Sequence, residues 1–213
     1  MENYSSLQYS AHILGIILHA YADTWSHQNF MGMRDSRNDV KDIWIEGESN
    51  DFVERFVTEM KGEYLIPHLG HAQAASIPDE PNRKWGYTDY RGEALQIVNL
   101  DRALDAAQNC YEVLLRFLGK RPDFQSYPPL IWQKISGKIA ELIGTAGNLE
   151  DCVTTWGEAI FSGAIGFQLE EKYRIYDPGE WFNIAIETKE IRSSEGEAGQ
   201  FLIHYHCCPV EIT

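Results

Sequence analysis

Three histidines and one aspartate stand close together near the start of the chain: His12, His19, Asp23 and His27. Imidazole nitrogens and carboxylate oxygens are the donors that zinc and similar divalent cations take from proteins. The spacing His-x3-Asp-x3-His sets His19, Asp23 and His27 successive helical turns apart, and at about 100° per residue they share one face of a helix. His12 lies more than a turn further back and reads as a packing or hydrogen-bonding residue. Two chemistries fit the other three. They could hold a divalent cation, or His19 could hydrogen-bond Asp23 and fix a core histidine in one tautomer. Ile16 and Ala20 interleave with the polar stripe, and Ile13 and Ile17 make a further side apolar. Such a helix is normally central, which predicts that His19 and Asp23 are buried and in contact.

A second group of donors follows in Pro67-His68-Leu69-Gly70-His71 and Pro78-Asp79-Glu80-Pro81. His71 is expected to complete a metal set with His19, Asp23 and His27. Asp79, held in a proline-stiffened turn, is expected to orient or deprotonate a water. Gly70 would let the backbone approach closely. Taken alone, these residues also read as an ordinary exposed turn. Trp85 and Tyr87 either line a pocket or cover an edge of the core.

The elements that must position these groups read as helices. A capping box at Ser5 to Gln8 opens one that runs to about His27, its seam formed by Leu7, Ala11, Leu14, Leu18, Tyr21 and Trp25. Asp51 with Glu54 opens another, to about Lys61. A long helix is expected from about Gly92 to Leu118, with Ile97, Leu100, Leu104, Ala107, Tyr111 and Leu114 on one seam. Pro128 and Pro129 precede a helix that Gly144 and Gly147 break, Asn148 with Asp151 opens the next, and Asp177-Pro178 with Glu180 one more. Residues 62–90 read as the main irregular connection, long enough to suggest a working loop. The expectation is therefore an all-α fold, a single helical domain over 1–213. The last twenty residues are open to either strand or helix. His204 and His206 alternate there as on one face of a strand and are expected to have surface or packing roles. The chain starts almost directly into a major helix, which suits a piece of a longer protein as well as a complete one.

Composition narrows the function. Of 213 residues, 44% are hydrophobic and 12% aromatic, which fills a substantial core and excludes a disordered or fibrous chain. Eighteen Lys and Arg against 32 Asp and Glu give a net charge of −14, so the protein's own field repels nucleic acid and anionic membranes. The longest apolar stretch, Ile13 to Ala22, is too short to span a bilayer and no cleavable signal pattern opens the chain; the expectation is a soluble cytoplasmic protein. The four cysteines show no Cys-x-x-Cys spacing. Cys110 and Cys152 fall within expected helices and read as reduced core residues, while Cys207 and Cys208 are adjacent.

Leu18-His19-Ala20-Tyr21-Ala22-Asp23-Thr24-Trp25-Ser26-His27-Gln28, then Gly70-His71-Ala72, Pro78-Asp79-x-Pro81, Trp85-x-Tyr87 and Asn99 form a set of motifs. Over roughly residues 10 to 118 the set resembles an uncharacterised bacterial family of helical proteins with a Leu-His-x-Tyr-Ala-Asp-Thr-x-x-His-Gln helix. More distantly it is similar to the zinc-dependent phospholipase C and single-strand nuclease superfamily, helical enzymes that cleave phosphoesters with clustered zinc ions. That resemblance implies zinc ligands at His19, Asp23 and His27. The chain lacks the superfamily's His-x3-Glu pair and its amino-terminal tryptophan, so one or two ions, or none, are easier to build than three. Two readings follow: a metal-dependent hydrolase acting on a small phosphoester, or a non-catalytic helical interaction module, bound to a protein partner, whose donors form a closed metal site or a buried polar network.

Overall fold

A computed structural model describes residues 10–61, 68–125 and 128–166, all within the unit Met1–Lys172. The capping signal at Ser5, the helix expected from Asp177 and the pair His204 and His206 lie outside those residues, as does the remainder of the single domain expected over 1–213.

Four expected helices form close to their sequence signals. They are α1 (Ser10–Ser26), α2 (Asn50–Lys61), α4 (Trp132–Gly144) and α5 (Leu149–Phe161). Asn148 caps α5 through a reciprocal box, its side chain accepting from Asp151 N–H while Asp151 accepts from Asn148 N–H. That satisfies two of the amides a helix start leaves without partners. No helix among the described residues is long and apolar enough to cross a membrane.

The all-α expectation is overturned. Among the described residues five α-helices accompany a three-stranded antiparallel sheet of β1 (Lys41–Ile45), β2 (Lys84–Thr88) and β3 (Ala94–Val98), in the order β1-β2-β3. The fold is mixed. The long helix α3 (Asn99–Lys120) starts at Asn99 rather than Gly92, because residues 92–98 finish a hairpin. Asp89 builds its turn: its carboxylate accepts from the backbone N–H groups of Arg91 and Glu93, and the backbone pairs Asp89 with Glu93. Ile97 belongs to the strand, where its spacing to Leu100 mimicked a helical seam.

The sheet makes its own core. Trp85 pairs in register with Ile45 on one side and Ile97 on the other, so three large side chains stand together on one face, and all three are buried. Trp85 and Tyr87 therefore cover a core. On the opposite face Gly86 carries the Trp44 indole, where a Cβ would come within 2.6 Å of the ring and 2.3 Å of the Leu95 carbonyl. Val53 of α2 and Ala74 and Ile77 of the connection close this core. A second cluster joins Leu142 of α4 to Ala159 and Ile165.

Helix α1 is not central. It rests on α3, with Trp25 Nε1 donating to Asp105 Oδ2 at 2.6 Å and Arg121 donating to Ser10 Oγ at 2.6 Å. Ile16 on another face is 65% exposed. Apolar residues all round a helix raise its mean hydropathy without dictating that every side is covered.

Candidate metal centre

The segment after β1 and α2 is where donors converge, and local backbone chemistry brings them there. Past α1 the chain turns at Asn29, which adopts φ 77, a conformation asparagine tolerates better than most residues. His27 lies just beyond the helix end, its N–H bonded to the Asp23 carbonyl. Arg102 of α3 donates to the Ser26 carbonyl at 3.3 Å, a cation at the negative end of the α1 dipole. Half-burial holds the Arg102 guanidinium below its ordinary pKa, the Tyr87 hydroxyl opposing that shift.

Asn38 ties this exit to the donor loop. Fully buried, it accepts from Met31 N–H at 2.6 Å and donates to the carbonyls of Met33 and His68, each at 2.9 Å. Asp35 N–H also bonds the His68 carbonyl, and Gly70 N–H bonds the Met31 carbonyl. Gly70 adopts φ 53, which suits glycine; a Cβ there would meet nothing within 4 Å, so the residue serves backbone conformation and not the close approach expected of it. These bonds fix His71 beside His27, with ring centroids 4.3 Å apart.

Asp79 comes from a turn anchored in the sheet core. Ile77 and Pro78 are buried. Buried Asn99 donates to the Ile77 and Glu80 carbonyls at 2.6 and 2.9 Å and accepts from Trp85 Nε1 at 2.9 Å. The result is one side chain aimed at two histidines. Asp79 Oδ1 lies 3.3 Å from His27 Nε2, and Oδ2 lies 3.5 Å from His71 Nε2. Ligand atoms of the three residues all lie within 4.8 Å of one another. Tetrahedral zinc with bonds near 2.0–2.1 Å needs ligand atoms about 3.3 Å apart, and each histidine Nε2 stands about that far from one Asp79 oxygen.

The tautomer of His71 gives this geometry its meaning. Its Nδ1 faces the Ala75 carbonyl at 2.9 Å, an acceptor only, so Nδ1 carries the proton and donates. Nε2, on the other side of the ring, is left facing the Asp79 carboxylate at 3.5 Å, a pairing that either a second ring proton or a metal cation satisfies. Ala75 itself sits at φ 53 and ψ −138, a costly conformation for a residue with a Cβ. Strain is held at the residue whose carbonyl orients the imidazole.

The other expected ligands are placed apart from this trio. His19 Nε2 and Asp23 Oδ2 are 3.7 Å from each other, so the expected contact forms, but their side chains are 82% and 45% exposed rather than buried. Among the described residues neither joins His27, His71 and Asp79 in a common donor cluster. Asp79, expected to act on water, stands instead where a ligand would. His68 pairs through Nδ1 with the Asp39 carboxylate, with Gln73 Nε2 3.1 Å from the same nitrogen, on the other side of Gly70 in sequence. Sequence reasoning missed Asn38, Ala75 and Asn99 as positioning residues. Asn99 was singled out only as part of a motif, and nothing in the residue type of Ala75 announces its backbone. Cys110 and Cys152 are free, and burial pushes the Cys110 thiol above its ordinary pKa.

Over residues 1–207 the chain matches, and belongs to, a family of unknown function, DUF6765. No curated protein and no solved structure matches it.

Proposed function

We propose that this protein is a metal-dependent hydrolase of phosphoesters, with a divalent cation, zinc foremost, held by His27 Nε2, His71 Nε2 and the Asp79 carboxylate. The observation that carries the reading is the convergence of His27 Nε2 and His71 Nε2 on the Asp79 carboxylate, at 3.3 and 3.5 Å, with the three donors within 4.8 Å of one another. Two imidazoles and one carboxylate are a donor set used by catalytic zinc sites, which keep a position open, whereas structural sites close all four. Asp79 is 45% exposed and His27 37%, so the cluster faces solvent. That favours a hydrolase over the closed site of an interaction module.

A divalent cation there would polarise a phosphoryl oxygen and bring the pKa of bound water down toward about 7. The residues do the rest. His71 stays in one tautomer through Ala75, Asp79 spans both histidines, and Phe30, stacked on Tyr87 at 5.7 Å and edge-on to His71 at 6.2 Å, backs the site with apolar surface. A small phosphoester suits a chain of charge −14 better than a polyanionic nucleic acid does. A soluble, cytoplasmic setting belongs to the same reading.

Zinc titration calorimetry together with hydrolysis of bis(p-nitrophenyl) phosphate tests it. Wild type should bind zinc and turn over, and His71→Ala should lose both. Tight zinc binding with no exchangeable water and no turnover would make the site structural and leave the interaction module as the function.

A further inference from the structure

One residue of the cation site, Asp79, also lines a larger space. A cleft of about 570 Å³ runs from Asp79 and the turn after it to the end of α4 and the first half of α5. That volume lies in the range of sites for small organic ligands, roughly 300–1,000 Å³. Its far wall is apolar and aromatic, with Leu142 and Trp156, the latter packed half-buried on the second core cluster. Its charges are already matched. Arg83, the one cationic residue among the described lining residues, donates to Glu80 at 2.7 Å and to Glu48 at 3.0 Å. Those two carboxylates, Glu80 first, hold its guanidinium above its ordinary pKa.

From the cleft's contact with Asp79, its flat wall and its compensated arginine, we infer that it receives the organic half of the substrate. That half is an uncharged, planar or apolar group laid against Trp156, with the phosphoryl group at the His27, His71 and Asp79 end. This rests on the proposed function and names its substrate class: phosphoesters with one anionic centre and a neutral, ring-bearing group. A second anionic group, as in a polyphosphate, would meet Glu80 and Asp79 and an arginine with no capacity to spare. Stacking on the indole supplies affinity that is indifferent to hydrogen-bonding pattern.

Cys152 lines the same cleft and reports on its occupancy. Alkylation of Cys152 by N-ethylmaleimide, followed on its own peptide by mass spectrometry, would be measured with zinc and either phenylphosphonate or methylphosphonate. Phenylphosphonate should slow the reaction at least fivefold and methylphosphonate less than twofold. Ala146→Leu, which fills the cleft from an exposed loop position, and Trp156→Ala should both remove the protection, with zinc affinity by calorimetry unchanged. If zinc binds and the two phosphonates protect equally or not at all, the cleft assignment falls while the hydrolase reading stands. If zinc does not bind but phenylphosphonate still protects, the cleft stands and the hydrolase reading falls. If neither binds, both fall.

Discussion

Asp23 and Asp79 each face histidine, yet they stand in different kinds of site. Asp23 meets His19 one turn away on α1 at 3.7 Å, in the open. Asp79 meets two histidines, 52 and 8 residues away in sequence, through a turn pinned to the core by Asn99. Local periodicity puts donors in a row, and a row on a convex helix points outward along diverging directions. Convergence needs chain from elsewhere to come round and face it. A cation asks for convergence, so the long-range pairing, and not the helical one, is where metal chemistry is expected.

The largest effect should come from removing the converging carboxylate. Zinc at a hundred times its dissociation constant stabilises a protein by about 2.7 kcal/mol, a shift of about 5–10 °C for a chain this size. Asp79→Ala should abolish that shift, while His19→Ala should leave zinc affinity within about twofold. Calorimetry with and without zinc at pH 7.5 reads both. Protons compete with the cation for imidazole nitrogens, so the zinc-dependent part should shrink on acidification. If His19→Ala and Asp23→Ala remove the shift and Asp79→Ala spares it, the comparison is reversed and the centre belongs on α1.

Next in size is the residue that makes convergence possible. Asn99→Ala leaves Trp85 Nε1 without its acceptor and takes from the Ile77 and Glu80 carbonyls one of their two donors, and should cost about 2–4 kcal/mol in metal-free protein by chemical denaturation. Zinc affinity should fall as well, though less than for Asp79→Ala, because the carboxylate is still present but less well held. A full loss of stability with unchanged zinc affinity would mean the turn finds its place without Asn99.

These residues also mark how far the sequence could be read. The helices at α1, α2, α4 and α5 were legible because each carries periodic apolar residues and most carry a start or stop signal within a few residues. His27, His71 and Asp79 were all recognised as donors from type and motif. They were expected at one site; that His19 and Asp23 stand apart from it was not legible, because the place of the donor loop depends on Asn38 and Gly70 folding one loop against another, and a buried asparagine looks like any turn residue in sequence. The sheet was hidden for a different reason. Trp85, Tyr87, Leu95 and Ile97 alternate in two short runs around Gly92, but Ile97 also continues into the α3 seam, and the longer period won the reading.

Ala75→Gly sharpens the contrast at smaller scale. Glycine adopts φ 53 freely, so the substitution removes strain of roughly 1–3 kcal/mol and adds about 0.5–1 kcal/mol of unfolded-chain entropy. Metal-free stability should rise by about 1 kcal/mol. Zinc affinity should drop a few-fold, since a looser carbonyl orients His71 less firmly. Equal or tighter zinc binding would show that the strained carbonyl has no part in aiming the imidazole.

The smallest effect is expected at another local pair, two residues long. Asp35 accepts from the Arg37 guanidinium at two oxygens and from the Arg37 N–H, and these bonds lower its pKa from 3.8 to about 2. A carboxyl depressed in the folded state contributes stability above its unfolded pKa and loses it as pH falls through the folded one. The window here is therefore roughly pH 4 to 2. Arg37→Ala should return the Asp35 titration, followed by carboxyl NMR, only part of the way to 3.8, because the backbone donor at position 37 survives the substitution. Zinc affinity should not change, since Asp35 reaches the donor loop through its own N–H to the His68 carbonyl and not through its carboxylate. A change in zinc affinity in Arg37→Ala would show that an exposed local pair does govern the convergent site, and the separation drawn between the two would not hold.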